Sequence, residues 1–299
     1  MTSEAHTILQ SWSAPLGLDL ALCLSMLVYA RGWFRVHTLF RNLIPVWRLA
    51  AFLAGSAFIW IAIASPLAAF DDASLSVHMV QHLLLMTIAP PLLLLGAPAL
   101  PLLHGLPQSI ARSVVAPFLR WSPVKILGRS LTNPTICWLA GALALIGWHL
   151  PAVFELALRW DWLHELEHAN FLGAGLLFWW PVIQPWPSSA RWPRWLIPPY
   201  LFGATLPCDV LSAFLAFGDR VVYPSYISAP RLLHMSPLQD QECAAALMWT
   251  CVTLIYLVPV AIVTLQILSP QKTQLPHDTW SAFRTIAGRP PKASNPEVI

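Results

Sequence analysis

Apolar stretches alternate with shorter polar segments along most of the chain. Seven of the apolar stretches approach the roughly 20 residues that a helix needs to cross a bilayer. Because backbone polar groups in hydrocarbon must be bonded within the segment, each stretch is predicted to be a helix and not an open strand. The predicted spans are residues 15–30, 47–64, 77–95, 134–150, 164–183, 196–217 and 244–268.

Composition supports a membrane protein. The chain is 57% hydrophobic and only 10% charged, whereas a soluble domain has about 25% charged residues. The sequence therefore predicts an all-α integral membrane protein, with one seven-transmembrane-helix bundle in residues 1–270. Residues 271–299 are rich in proline and polar side chains, so they are predicted to be a disordered cytoplasmic tail. The chain has no glycine-rich phosphate loop or nucleic-acid motif, so its expected surroundings are the lipid bilayer and not nucleic acid.

Basic residues predict how the bundle is oriented. The seven-span prediction places 14 of the 17 lysines and arginines on one side, and only Arg159, Arg220 and Arg231 on the other. Loops rich in lysine and arginine remain in the cytoplasm. The N-terminus is therefore predicted to lie outside and the C-terminus in the cytoplasm. No lysine or arginine precedes the first span, so we interpret it as a retained helix and not as a cleaved signal peptide.

Five histidines share the predicted outer end of three spans. His78 and His82 begin the third span, His149 ends the fourth, and His164 and His168 begin the fifth. Each i,i+4 pair lies on one face of its helix, where two imidazoles can hold one metal ion. Alone, His149 is interpreted as a structural residue at a helix end, whereas the pair at 78 and 82 favours a functional site. The sequence fixes a common depth, but not whether the five side chains face one another.

Residues 164–168 also match H-E-x-x-H, the signature of zinc metalloproteases. In such enzymes the glutamate, here Glu165, activates a zinc-bound water. The match lies in an acid-rich segment and leaves the pair His78 and His82 without a role. An intramembrane zinc metalloprotease is therefore kept as an alternative.

Four segments carry a resemblance to a known family. Residues 65–98, SPLAAFDDASLSVHMVQHLLLMTIAPPLLLLGAP, resemble the signature of the CtaG-like cytochrome c oxidase (caa3-type) assembly factors. Three further segments fit the family: WHLPAVFELAL, LHELEHANFLGAGLLFWWPVI and SPLQDQECAAALMWT. In the last of these segments, residues 244–246 are alanines at positions where the family tends to have glycine. The resemblance implies a multi-pass protein of the bacterial plasma (inner) membrane that helps build active oxidase, with copper-centre formation as its role. The family's histidines fall on the same five positions.

Together these observations predict a copper site near the periplasmic face. Imidazole suits copper, and thioether or thiolate sulfur favours Cu(I). His78 and His82 are the expected central ligands, and His149, His164 and His168 would complete the site or form a second one. The expected accessory residues fall into two groups: Met79, Met86 and Cys243 would pass Cu(I) onward, while Glu167 and Asp209 would hydrogen-bond the ligands.

The predicted protein turns over no substrate. Its expected partners are cytochrome c oxidase subunits and periplasmic copper chaperones, and copper is favoured over zinc or haem as the bound group. Two classes remain beside this hypothesis. One is an assembly chaperone that acts purely by contact and whose histidines are structural. The other is an enzyme, either the zinc protease or a haem protein with two histidine ligands.

Overall fold

The computed structural model describes residues 16–37, 44–185, 192–230 and 235–269. The predicted tail, 271–299, lies outside these residues. Within them the structure is helical, without strands, so the all-α prediction is confirmed. The α-helices of the described residues are α1 (Leu16–His37), α2 (Val46–Ala64), α3 (Pro66–Phe70), α4 (Leu75–Leu83), α5 (Ala89–Leu95), α6 (Ala99–Gly105), α7 (Gln108–Ile110), α8 (Ala116–Arg120), α9 (Ser122–Leu131), α10 (Pro134–Trp148), α11 (Pro151–Arg159), α12 (Asp161–Ile183), α13 (Ile197–Ala216) and α14 (Pro237–Leu268).

Five helical segments of the described residues are long and apolar enough to cross a membrane. They are α1, α2 with α3, α4 with α5, α13 with the preceding 3₁₀ turn, and α14. A sixth arises if α9 and α10, which meet at a bend of 73°, form one broken span. The remaining predicted span is α12, whose first half carries Asp161, Glu165 and Glu167. The count of seven and the orientation of the termini stay predictions.

The segment α4–α5 is the most buried of these spans, whereas α1 is mostly exposed. A π-helical turn, Leu84–Ile88, joins its two α-helices. Pro90 and Pro91 follow after Ala89 and have no N–H to donate to the preceding turn, which favours a local widening of the helix. Helix α12 packs against this π-turn and α5, and α14 packs against α4. The segment that begins with His78 and His82 therefore lies at the centre of the bundle.

Helices α1 and α6 cross very closely. A Cβ atom on Gly32 would lie 1.7 Å from the carbonyl oxygen of Pro101, and one on Gly105 would lie 1.8 Å from that of Val28. Only glycine fits at these two positions, because no side-chain atom can approach a backbone oxygen so closely. This contact holds α1 at the edge of the bundle, away from the histidines.

Candidate metal centre

The start of α4 is fixed by a carboxylate from α14. Asp240 accepts hydrogen bonds from the Ser74 hydroxyl at 2.9 Å, from the Leu75 N–H at 2.7 Å and from the Ser76 N–H at 3.2 Å. A carboxylate is favourable here because the first N–H groups of a helix have no intrahelical acceptor. Asp240 thereby holds in place the first turn of the helix that carries His78 and His82.

All five predicted histidines converge. The rings of His78 and His82 meet edge to face with centroids 4.3 Å apart, and His78 stacks on His164 at 5.2 Å. His82 lies 5.8 Å from His149 and 5.9 Å from His168, and the rings of His164 and His168 are 4.3 Å apart. Helices α4 and α12 and the end of α10 therefore bring the five imidazoles, which we call the histidine cluster, into one group, in which four are buried and His164 is partly exposed.

Most of the polar atoms in this group lack a hydrogen-bond partner. Within the described residues, neither ring nitrogen of His78 or His82 is hydrogen-bonded, nor is Nε2 of His164 or His168. The two carboxylate oxygens of Glu167 are also without a partner, although this residue is fully buried. Leaving a buried polar group unsatisfied costs about 1–3 kcal/mol. Such a concentration of unsatisfied nitrogen and oxygen atoms indicates a site that a bound ion would complete.

Among the residues that the structure describes, two sets of three side chains are compact enough to hold an ion. The ligand atoms of His78, His82 and Glu167 lie within 4.8 Å of one another, as do those of Asp71, His78 and His164. His78 belongs to both sets. His82 Nε2 lies 3.5 Å from Glu167 Oε1, and His164 Nε2 lies 3.9 Å from Asp71 Oδ2.

Asp71 was not among the predicted ligands. It precedes α4 and is buried, and burial, with a contribution from Asp72, raises its pKa to about 7. The Tyr226 hydroxyl donates a hydrogen bond of 2.9 Å to the backbone carbonyl of Asp71 and so fixes the short connection between α3 and α4. The sequence signal was the acidic pair at 71 and 72, seven and six residues before His78, but nothing in the sequence showed which carboxylate turns inward.

His149 differs from the other four. Its Nδ1 donates to the Leu145 carbonyl at 2.7 Å, and its Nε2 lies 3.2 Å from the sulfur of Met79. The Tyr223 hydroxyl donates a hydrogen bond of 3.0 Å to the backbone carbonyl of His149, so the backbone at the end of α10 is held as well. His149 therefore belongs to the histidine cluster and also contacts the Met79 sulfur at the margin of that cluster.

The other predicted accessory residues are dispersed. Met86 is buried on the π-turn. Asp209 and Cys243 are partly exposed and belong to neither compact set. The glutamate of the H-E-x-x-H match, Glu165, is exposed, whereas Glu167 two residues later faces the cluster. A zinc-protease mechanism needs Glu165 beside the metal, so the structure does not favour the zinc-protease alternative.

Comparisons with known proteins agree with the resemblance seen in the sequence. The profile of the cytochrome c oxidase caa3 assembly factor family matches residues 27–269. An uncharacterized protein of Mycobacterium bovis is 29% identical over 227 residues, which are 74% of this chain and 34% of the relative. An uncharacterized protein of Mycobacterium leprae is 27% identical over 252 residues, 81% of this chain and 36% of the relative. The chain thus spans about a third of the length of these relatives. No solved structure gives a significant match.

The family match includes every residue of the histidine cluster and runs from within α1 to the end of α14. It covers most of the chain, and the helical, strongly apolar architecture agrees with a membrane protein. The chain therefore belongs to the cytochrome c oxidase caa3 assembly factor family.

Proposed function

We propose that this chain is a copper-binding assembly factor that helps form a copper centre of cytochrome c oxidase. The observation that carries the proposal is the set of unpartnered ring nitrogens of His78 and His82 beside the unpartnered carboxylate of Glu167. These three residues are the central ligands. The remaining histidines of the cluster receive or release the ion at its margin. Copper is here the cargo, and no substrate is converted.

The donor chemistry favours copper over the other groups considered. Imidazole nitrogen binds copper and zinc alike, but thioether sulfur beside the cluster, at Met79, favours Cu(I). Haem is disfavoured because His78 and His82 touch edge to face on one helix, so they cannot bind opposite faces of a porphyrin. The exposure of Glu165 argues against a zinc hydrolase.

The proposed setting is the inner membrane of a bacterium, with the cluster at the periplasmic side. Seven spans, counting the short α10 and the acid-bearing α12, would place the N-terminus outside and the C-terminus in the cytoplasm. The distribution of lysine and arginine supports this orientation. Copper delivered outside the cytoplasm would then reach His78 and His82 without crossing the membrane. The proposed partners are periplasmic copper chaperones, which deliver the ion, and an oxidase subunit, which receives it.

The experiment is oxidase assembly in a bacterial strain that lacks its own copy of the factor. The strain receives the wild-type chain, the variant His78→Ala/His82→Ala, or the control His104→Ala, whose histidine is exposed and far from the cluster. We expect the control to restore oxidase activity and the double variant to accumulate in the membrane without restoring it. Full rescue by the double variant would overturn the copper mechanism and would show a factor that acts by contact alone.

A further inference from the structure

We propose that a second, softer Cu(I) site lies directly beneath the histidine cluster, formed mainly by sulfur. This proposal rests on the proposed function, because it takes copper as the cargo of the protein. Its donors come from four helices, and two of the histidines, His82 and His149, border both sites. The sulfur donors are Met79, Met86, Cys208 and Met248.

The contact between His149 and Met79 is the first observation. Nδ1 of His149 faces a carbonyl oxygen, which can only accept, so the proton of the neutral ring is on Nδ1. Nε2 then presents a lone pair to the Met79 sulfur, 3.2 Å away, and the sulfur offers another lone pair. Two acceptors that face each other in a buried site repel each other unless a cation lies between or beside them. The pair is therefore arranged as two ligands of a soft cation.

A cavity next to this pair is the second observation. It has a volume of about 40 Å³ and extends from His82 and His149 along the π-turn toward the middle of the bundle. Its wall is otherwise apolar, with aromatic and small aliphatic side chains from α10, α12, α13 and α14. Three methionines and one cysteine in the wall of one small cavity are an unusual concentration in a chain that has only 6 methionines and 5 cysteines.

The cavity is large enough for an ion. A water molecule needs roughly 10–15 Å³ of such space, so the cavity, with about 40 Å³, has room for an ion with a water molecule or two. A water molecule also needs two to four polar partners, and sulfur is a weak one. The lining therefore suits a small, soft, poorly hydrated ion better than it suits water.

Cu(I) satisfies these conditions. Thioether and thiolate ligands select Cu(I) over harder cations. An uncompensated charge within a span is costly, but a Cu(I)–thiolate pair carries no net charge. As the Cu(I)–sulfur bond forms, the Cys208 thiol loses its proton, and the imidazole that releases the ion can accept it. No electron is transferred, because the ion remains Cu(I) throughout.

Cys208 is free to bind in this way. Its sulfur lies 3.9 Å from the Ser212 hydroxyl and 3.9 Å from the Met248 carbonyl, both long contacts. It lies on α13, whereas Met248 lies on α14, so the site would join two helices that pack directly on each other. The structure thus assigns the soft-donor role to Cys208, while Cys243 of the same chain does not line the cavity.

The two sites would act in sequence. The histidine cluster receives the ion at the outer face, and the sulfur cavity holds it one to two helical turns deeper. Because His82 and His149 border both sites, the ion exchanges one ligand at a time and is never without donors. A Cu(I) ion held by sulfur is also kept from water, which protects it until the receiving subunit docks.

The test is copper K-edge X-ray absorption of the purified chain, titrated with Cu(I) without oxygen. We expect nitrogen scatterers at low loading and sulfur scatterers at saturation. In Met79→Leu/Met248→Leu, which keeps Met86 and Cys208, the sulfur signal should fall while the nitrogen-bound copper remains, since leucine preserves the side-chain volume. Met26→Leu, outside the cavity, is the matched control and should behave as wild type. Cys208→Ala provides an independent variant, in which the sulfur signal should also fall.

The outcomes separate the two proposals. Copper that has only nitrogen or oxygen ligands at saturation would overturn the sulfur site and leave the histidine site standing. A sulfur signal as strong as that of wild type in both cavity variants would also overturn it. A wild-type chain that retains no copper would overturn the proposed function itself.

Discussion

Two polar regions lie at opposite ends of the central segment α4–α5. One is the buried histidine cluster. The other is an open cavity of about 510 Å³ lined by Arg31, Arg35, His104 and Arg112. Arg35 donates to the His104 carbonyl at 3.0 Å, and all four side chains are exposed. The first region is rich in buried atoms without partners, whereas the second carries its charges where water and lipid headgroups reach them.

The difference shows which polar residues of a membrane protein point to a ligand. Exposed arginines beside a span are explained by topology and by anionic lipid headgroups. Buried imidazoles and a buried carboxylate have no such explanation, because they gain nothing from solvent. The comparison therefore supports the proposal that the metal binds at the cluster, and variants in each region should separate their roles.

The largest effect is expected from loss of the carboxylate that fixes the start of α4. Asp240→Ala leaves two backbone N–H groups and one hydroxyl without their acceptor, so it should lower the free energy of unfolding by about 2–4 kcal/mol. Thermal unfolding in detergent measures this. Asp209→Ala, at a partly exposed carboxylate, is the control and should cost less than about 1 kcal/mol. Equal effects of the two variants would contradict the role assigned to Asp240.

A second prediction uses the two glutamates of the sequence HELEH. Glu167→Gln keeps the size of the side chain but replaces the carboxylate beside His78 and His82, which can bind the ion as an anion, with a neutral amide, so copper affinity should fall about 10- to 100-fold. Glu165→Gln, two residues earlier and exposed, should leave affinity unchanged. Competition with a Cu(I) chelator measures both. If the Glu165 variant lost copper and the Glu167 variant kept it, the site would be the one expected of a zinc protease.

A third prediction concerns the spacing of the helices that bear the cluster. A Cβ at Gly175 would lie 2.6 Å from the Met86 carbonyl oxygen and 2.7 Å from Pro90, so Gly175→Ala must move α12 away from the π-turn. We expect a loss of about 1–2 kcal/mol in stability and weaker copper binding. Gly173→Ala on the same helix meets no atom within 4 Å and should change neither quantity appreciably. Equal behaviour of the two alanine variants would show that α12 is not tightly packed here.

The smallest effect on copper is expected in the basic cavity. Arg31→Gln/Arg112→Gln removes two charges far from the cluster, so copper affinity should match that of wild type. Interaction with anionic lipid should weaken by about 1 kcal/mol for each charge removed, measured as retention of fluorescent anionic lipid by the purified chain. A loss of copper in this variant would contradict the separation between the two regions.

The sequence predicted that the five histidines share one end of their helices, but it did not predict that their side chains converge. Spacing of four residues set the shared faces of His78 with His82 and of His164 with His168. Whether α4 and α12 turn these faces toward each other depends on packing between helices far apart in the chain. Asp240, which is 166 residues from Ser74, illustrates the limit. Its role as a cap on α4 follows only from the way α14 crosses that helix.

Cys208 and Met248 illustrate the same limit for the sulfur cavity. Each alone resembles an ordinary apolar core residue, and only the packing of α13 on α14 brings them to one cavity. The span prediction was more successful for uniformly apolar helices than for α12, whose acidic start lowers its hydropathy. Those same acidic residues include Glu167, the carboxylate that faces the histidine cluster, so a residue of the candidate site also weakens the membrane signal.

The copper content of the purified protein tests the central claim most directly. Wild type, His78→Ala/His82→Ala and the control His104→Ala are purified without oxygen after copper loading and analysed by mass spectrometry for metals. The account predicts that wild type and the control retain copper and that the double variant loses the ion bound by the cluster. Equal copper in all three proteins would contradict the assignment of the site to His78 and His82.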